Sequence, residues 1–329
     1  MTGRLVLLLV AGAALGAQDL RTIIVDTEQG IHYADEDDRS VRALPIRDNV
    51  WVIVGAGANI TVQTGENGVL VVDSGSGTET DKVLTLVRQL SPWPIGYVLN
   101  TSYLPDHSGG NAALAMAGEA AGGARGRGGR GGSTPIAAHE AVLGRLSAPS
   151  GEEAPAPGDA WPSETFYTPY HDIYFNGEGI QMLHAPNAVT DGDSMVFFRR
   201  SDVIATGDVF QTTTYPFIDL DAGGTIDGVV DGVNHILQIT IPEEKQEGGT
   251  IVVPGHGRIS DEADVLEYRD MLTIVRDRIR DAIDKGMSLD EVQAARLTRD
   301  YDGRYGSDTG PWTTAMFVEA AWRSLGQER

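Results

Sequence analysis

The chain has 329 residues, of which 41% are hydrophobic and 22% charged, and its formal net charge is −22. That length can bury a sizeable core in one large domain or two smaller ones, while the negative field opposes nucleic acid and anionic lipid as partners. No cysteine is present, which removes disulfides, a thiol nucleophile and thiolate ligands, and leaves His, Asp and Glu as donors for any metal.

Residues 1–17 carry one basic residue, Arg4, then an apolar run at 5–10 and small residues at 11–17. This reads as a secretory signal peptide with Ala14 and Gly16 in a small-x-small cleavage pattern, and the run is shorter than the ~20 apolar residues a membrane span needs. The expectation is an exported protein, periplasmic or secreted, without a membrane span after cleavage. Residues 18–48 are polar, acidic around 35–38 and without a clear period, and are read as an extended lead-in.

From Asn49 the pattern changes. The β-rich runs 50–54, 58–64 and 69–73 are separated by Gly55-Ala56-Gly57 and Glu66-Asn67-Gly68, turn chemistry that predicts consecutive antiparallel strands. Residues 78–90 place Val83, Leu84, Leu86, Val87 and Leu90 at helical spacing. A short strand at 95–99 follows, then a polar stretch at 100–111 running into a small-residue helix at 110–117. Residues 118–134, with Arg125, Arg127 and Arg130 spaced by glycine, read as a flexible surface insertion.

A strand at 136–138 leads to a helix at 140–146 and a Pro-rich connection at 149–162. His139 opens that helix and is read as bonded locally; His171 and His184, in strand patterns at 172–175 and 180–184, are read as structural, and His32 and His235 lack ligand-type neighbours. Strands at 193–198 and 202–206, a helix at 226–239 and a strand at 250–253 complete a domain over 49–260. Beyond it, helices at 263–285 and 311–325 flank a short helix that Ser288 and Glu291 cap at capping-box spacing. This tail, 261–329, has too few apolar residues for a core of its own and is read as cover on the same domain.

Three places put a donor just after an apolar strand: Asp106 and His107 after 95–99, Asp208 after 203–206, and His256 in Pro254-Gly255-His256-Gly257 after 251–253. Loops at strand ends are held by a rigid sheet and favour sites. Each fragment alone is ordinary turn or cap chemistry; their recurrence is the signal.

The stretch at 100–111, Asn-Thr-Ser-Tyr-Leu-Pro-Asp-His-Ser-Gly-Gly-Asn, resembles the Thr-His-x-His-x-Asp-His-x-Gly-Gly loop of the metallo-β-lactamase superfamily. Val-Asp-Ser-Gly at 72–75 and Thr-Asp-Gly-Asp at 190–193 extend the resemblance over about 49–257. It implies an α/β fold, a four-layer αβ/βα sandwich, here with a C-terminal helical extension. Ser102, Leu104 and Val189 stand where the family's first-site histidines would be, so the first metal site is absent.

The resemblance carries the second-site ligands onto Asp106, His107, Asp208 and His256. Two carboxylates and two imidazoles neutralise one divalent ion, zinc first, with iron or manganese as alternatives. The implied chemistry is hydrolysis of a small ester, thioester, lactone or lactam by metal-activated water. Asp106 and Asp208 are the candidate catalytic carboxylates, Asp208 being either a terminal ligand or a free general base. The alternative is a catalytically silent protein that uses the pocket for binding. Ser102, Tyr103, Asn187 and Tyr215 are the candidate substrate-pocket residues, and Asp73 and Asp193 are expected to order loops by accepting backbone hydrogen bonds.

Overall fold

A computed structural model describes residues 23–26, 30–33, 40–120, 134–147 and 153–327. The expected signal peptide at 1–17 and most of the expected insertion at 118–134 lie outside them. Met1–Arg39 forms one compact unit and Ser40–Arg329 another. In the first, β1 (Ile23–Asp26) and β2 (Gly30–Tyr33) make an antiparallel hairpin with Ile23 opposite Tyr33.

The second unit holds two sheets. In the first, β3 (Arg42–Arg47), β4 (Val50–Val54), β5 (Ile60–Gly65) and β6 (Gly68–Val72) run as an antiparallel meander. Parallel β7 (Ile95–Leu99), β8 (Ile136–His139) and β9 (Glu164–Phe166) extend it in sequence order. The second sheet runs β10 (Tyr170–Phe175), β11 (Glu178–His184), β12 (Ser194–Phe198), β13 (Val203–Ala205) and β14 (Ile251–Val253), with only the last pair parallel.

Period-two alternation assigns each strand face to a layer. Leu70 and Val72 of β6, Tyr97 and Leu99 of β7, Val196 and Phe198 of β12, and Val203 and Ala205 of β13 meet between the sheets. The opposite faces carry Val69, Val71 and Val98, packed with Val83 and Val87 of α1 (Thr80–Leu90) and Leu114 of α3 (Asn111–Ala120). Behind the other sheet, Met195, Ile204 and Val252 pack with Val229 and Val233 of α5 (Ile226–Ile239). The order of layers is therefore helix, sheet, sheet, helix.

The C-terminal helices are α6 (Glu262–Asp284), α7 (Leu289–Ala295), α8 (Asp302–Tyr305) and α9 (Thr314–Gln327). Val265, Leu272 and Val275 of α6 and Phe317 and Ala321 of α9 join the α5 cluster, so the extension shares a core with the sandwich. Both halves of the Ser288–Glu291 capping box form at α7.

β3 starts the first sheet at Arg42, ahead of the β-rich pattern read from Asn49. Its apolar period is hidden by arginines at both ends and by the exposed Pro45 beside a register shift, which is tolerated because β3 is an edge strand.

Candidate metal centre

The loop after β7 is closed at its ends by a reciprocal amide pair. Asn100 Nδ2 donates to Asn111 Oδ1 at 2.9 Å and Asn111 Nδ2 to Asn100 Oδ1 at 2.8 Å. Within it, Pro105 opens the one-turn helix α2 (Pro105–Ser108), which carries Asp106 and His107. Asp208 sits in a 3-10 turn at Gly207–Val209 directly after β13, and His256 follows β14. Two donors thus come from the first sheet and two from the second.

His107 is wholly buried. Its Nδ1 lies 2.8 Å from Asp73 Oδ2, and the same carboxylate accepts the Thr101 N–H at 2.8 Å and the Thr101 hydroxyl at 2.6 Å. On the other side of the ring, Nε2 lies 3.2 Å from Asp208 Oδ2. His256 Nε2 lies 2.9 Å from Asp106 Oδ2 and 3.5 Å from Asp208 Oδ1. One donor each from Asp106, His107 and His256 lies within 4.8 Å of the others, the one group of this kind among the described residues.

The electrostatics follow from this packing. Burial pushes the Asp106 carboxyl up, but the His256 hydrogen bond and the two imidazoles outweigh it and bring it down to about 2. Burial also works against ionised Asp208, and His107 and His256 hold it below the usual carboxylate range. For His107, burial favours the neutral ring, yet Asp208 and Asp73 raise it well above an ordinary imidazole. His256 is raised likewise, against burial, by Asp106 and Asp208. Without an ion, charged imidazoles take the place of a cation among these carboxylates.

The residues fit a divalent ion. His107 Nε2 and Asp208 Oδ1 are buried and make no well-formed hydrogen bond, their nearest charged neighbours being ion-pair contacts at 3.2 and 3.5 Å, an arrangement that a cation between them would satisfy better. Donors bonded to zinc at about 2.0–2.1 Å stand roughly 3.3 Å apart at tetrahedral angles, close to the 3.2 Å from His107 Nε2 to Asp208 Oδ2 and the 2.9 Å from His256 Nε2 to Asp106 Oδ2. The Asp73 bond to His107 Nδ1 is of the kind that orients an imidazole for metal binding. Sequence reasoning assigned Asp73 to loop ordering, which the Thr101 N–H contact supports, but missed its second role.

The positions of the absent histidines hold no substitute donor set. Ser102 is buried and accepts the Leu104 N–H at 3.4 Å, and Val189 is fully buried. Tyr103 donates to Asp219 Oδ2 at 2.7 Å, with the Arg145 guanidinium over its ring at 5.5 Å. Burial first, then Asp219, raises its phenol pKa. Asn187 is exposed, with φ +56°, and donates to Gly223 O at 2.9 Å.

Tyr215 is a correction. Only 1% exposed, it stacks on Phe317 and donates to Thr298 O and Asp302 Oδ1 at 3.1 and 3.0 Å. It belongs to the core under the C-terminal helices, because the segment after Asp208 turns inward there. His139 caps α4 (Glu140–Leu146) as expected, accepting the Ala141 N–H at 3.4 Å. Its ring also stacks on His184 at 3.8 Å, a pairing between β8 and β11 that no local spacing could indicate. Buried Asp193 accepts from Thr190 N–H and hydroxyl, and burial outweighs these bonds to push it up to about 7.

A family model described as metallo-beta-lactamase superfamily matches residues 53–257, more than half of the chain. A metallo-beta-lactamase from Pontibacter korlensis is 16% identical at a TM-score of 0.53, covering 71% of this chain and 99% of that one. DIM-1 metallo-beta-lactamase is 14% identical at 0.53, covering 71% and 97%. The stereoselective inverting sec-alkylsulfatase Pisa1 from Pseudomonas sp. is 15% identical at 0.60, covering 92% of this chain and 56% of the sulfatase. At these identities the likeness is one of fold alone. No curated protein matches the sequence.

Proposed function

We propose a function from one premise: this chain belongs to the metallo-beta-lactamase superfamily. It uses a single divalent ion, zinc, at Asp106, His107, Asp208 and His256 to hydrolyse a small ester, thioester, lactone or lactam. The observation that carries the reading is the convergence of one donor each from Asp106, His107 and His256 within 4.8 Å, beside an Asp208 that both imidazoles approach, in a protein whose Ser102, Leu104 and Val189 leave the other ligand positions without imidazoles.

Bound there, the ion supplies Lewis acidity and brings the pKa of a water towards neutrality. Asp73 keeps the proton of His107 on Nδ1, so that Nε2 presents its lone pair to the centre. Asp106, with its side chain 38% exposed, is the carboxylate nearest solvent and stays ionised. Asp208 would hold the ion through a carboxylate oxygen or, left free of it, would serve as a proton acceptor beside the centre. A neutral carbonyl group asks for less charge stabilisation than a phosphoester, which two-ion sites clamp from both sides, and this favours the carbonyl substrates.

Metal analysis of protein purified without chelator tests the reading. Close to one equivalent of zinc, lost in Asp208→Ala and in His256→Ala, supports it. Iron or manganese at the same occupancy reassigns the ion. No metal under metal-replete conditions overturns the hydrolase and leaves a binding protein. Export is part of the same proposal, on the signal-like sequence at 1–17; a secreted or periplasmic protein that still begins at Met1 would refute cleavage.

A further inference from the structure

The turn between β4 and β5, residues 55–59, reaches each of three loops around the centre. Ala56 O accepts the Ser76 N–H at 2.8 Å, Ala58 N–H donates to the Asp106 carbonyl at 3.1 Å, and Asn59 N–H donates to the Gly255 carbonyl at 2.8 Å. The half-buried Asn59 side chain adds two more bonds, Nδ2 donating to Pro254 O at 2.9 Å and to Gly257 O at 3.0 Å. Both acceptors face the same end of the amide, which identifies that end as the NH2 group. Asn59 therefore bonds Pro254, Gly255 and Gly257, and the remaining residue of that turn is His256.

Such a turn has little preference of its own. Gly257 sits at φ +102°, and a Cβ there would lie 1.9 Å from Thr212 Oγ1. Glycine makes this conformation accessible but does not select it. Its own side of the molecule holds it at Gly255 N–H, which donates to Gly207 O at 2.8 Å, and at His256 O, which accepts the Thr212 N–H at 3.1 Å; the bonds to the Pro254 and Gly257 carbonyls come from the opposite sheet, where Asn59 begins the approach to β5. Ala58, next in the chain, pins the loop that carries Asp106.

We infer that Asn59 is a positioning residue for the metal centre: its side-chain amide fixes the 254–257 turn so that His256 Nε2 faces Asp106 and Asp208. The inference rests on the metal-centre reading above and assigns the second of the two contacts that orient its imidazoles. Asp73 holds His107 through the ring itself; Asn59 holds His256 through the backbone on both sides of it.

The test compares the full chain with Asn59→Ala and with Asn59→Asp, which keeps the shape but has no donor. Two readouts are taken: backbone hydrogen exchange of the metal-free protein over 254–258, and Co(II) affinity by competition with a chelator. Exchange should quicken in that turn while the α6 amides stay protected, and affinity should fall about ten- to hundred-fold, the usual effect of losing an outer-shell contact. Asn59→Asp should be no better than Asn59→Ala. If Asn59→Ala does not fold, Asn59→Ser, with one shorter donor, carries the same comparison at a smaller effect. Unchanged exchange overturns the inference, and so does faster exchange with affinity within about twofold of wild type, which would make the amide a support for the turn alone. Wild-type protein that takes up no Co(II) overturns the proposed function instead; the exchange comparison then decides by itself whether Asn59 holds the turn.

Discussion

Alanine at Gly228 and alanine at Gly144 should change stability in opposite directions, although both glycines lie inside helices, in α5 and α4. Helix propensity alone favours each substitution by about 1 kcal/mol. At Gly144 a Cβ meets nothing within 4 Å, so a gain of roughly 0.5–1 kcal/mol is expected. At Gly228 it would lie 1.8 Å from Asn187 O and 2.3 Å from its carbonyl carbon, atoms that cannot swing away. That carbonyl also accepts Thr225 N–H at 2.9 Å and the Thr225 hydroxyl at 3.0 Å, and Thr225 caps α5 through Gly228 N–H. Overpacking costs about 1–3 kcal/mol and a lost hydrogen bond about 1 kcal/mol. Set against the propensity gain, Gly228→Ala should be destabilised by roughly 1–3 kcal/mol. Denaturant unfolding of the metal-free protein reads both variants as midpoint shifts. A Gly228→Ala midpoint at or above wild type would refute the reasoning.

Metal affinity should rise with pH. Both imidazoles of the metal-free centre are raised above their ordinary range, so protons compete for the ligand atoms until pH passes those values. Co(II) titrations between about pH 6 and about pH 8 should show tighter binding and smaller proton release at the upper end; a flat profile would contradict this. His139 works on stability instead. Burial first, then His184, lowers its pKa from 6.5 to about 4, against Asp191. The unfolded chain therefore takes up this proton first, and the contribution is complete above about pH 6.5 and lost as pH falls towards about 4. It amounts to on the order of 1–3 kcal/mol, and His139→Asn, which keeps a capping side chain, should flatten that part of the acid limb in unfolding curves. Tyr215→Phe should lower stability by about 1–2 kcal/mol, because buried acceptors lose their donor, and leave Co(II) affinity unchanged. A weaker metal site in that variant would return Tyr215 to the pocket.

Much of the architecture was legible from local pattern. Alternation at 69–72 and 95–99 and the helical spacing at 83–90 specify both an element and its buried face, because side-chain direction follows backbone period. The motif at 100–111 named a family loop, and the departures at Ser102, Leu104 and Val189 marked which half of it was gone. β3 escaped because an edge strand with a proline and charged ends has no clean period.

What spacing does not contain is which loops from different sheets come into contact. Asp73, 34 residues before His107, holds it, and Asn59 bonds residues almost 200 positions away; His139 and His184 stack across two sheets. Tyr215 resembles a pocket residue in sequence and is core in the fold, since only the packing of α8 and α9 decides which side of its segment faces inward. The sequence by itself determined the elements, their faces and the residue types available for a metal. The tertiary structure decided how those donors face one another and what holds them, because orientation at a site is set by hydrogen bonds between strand ends that meet only when the two sheets pack.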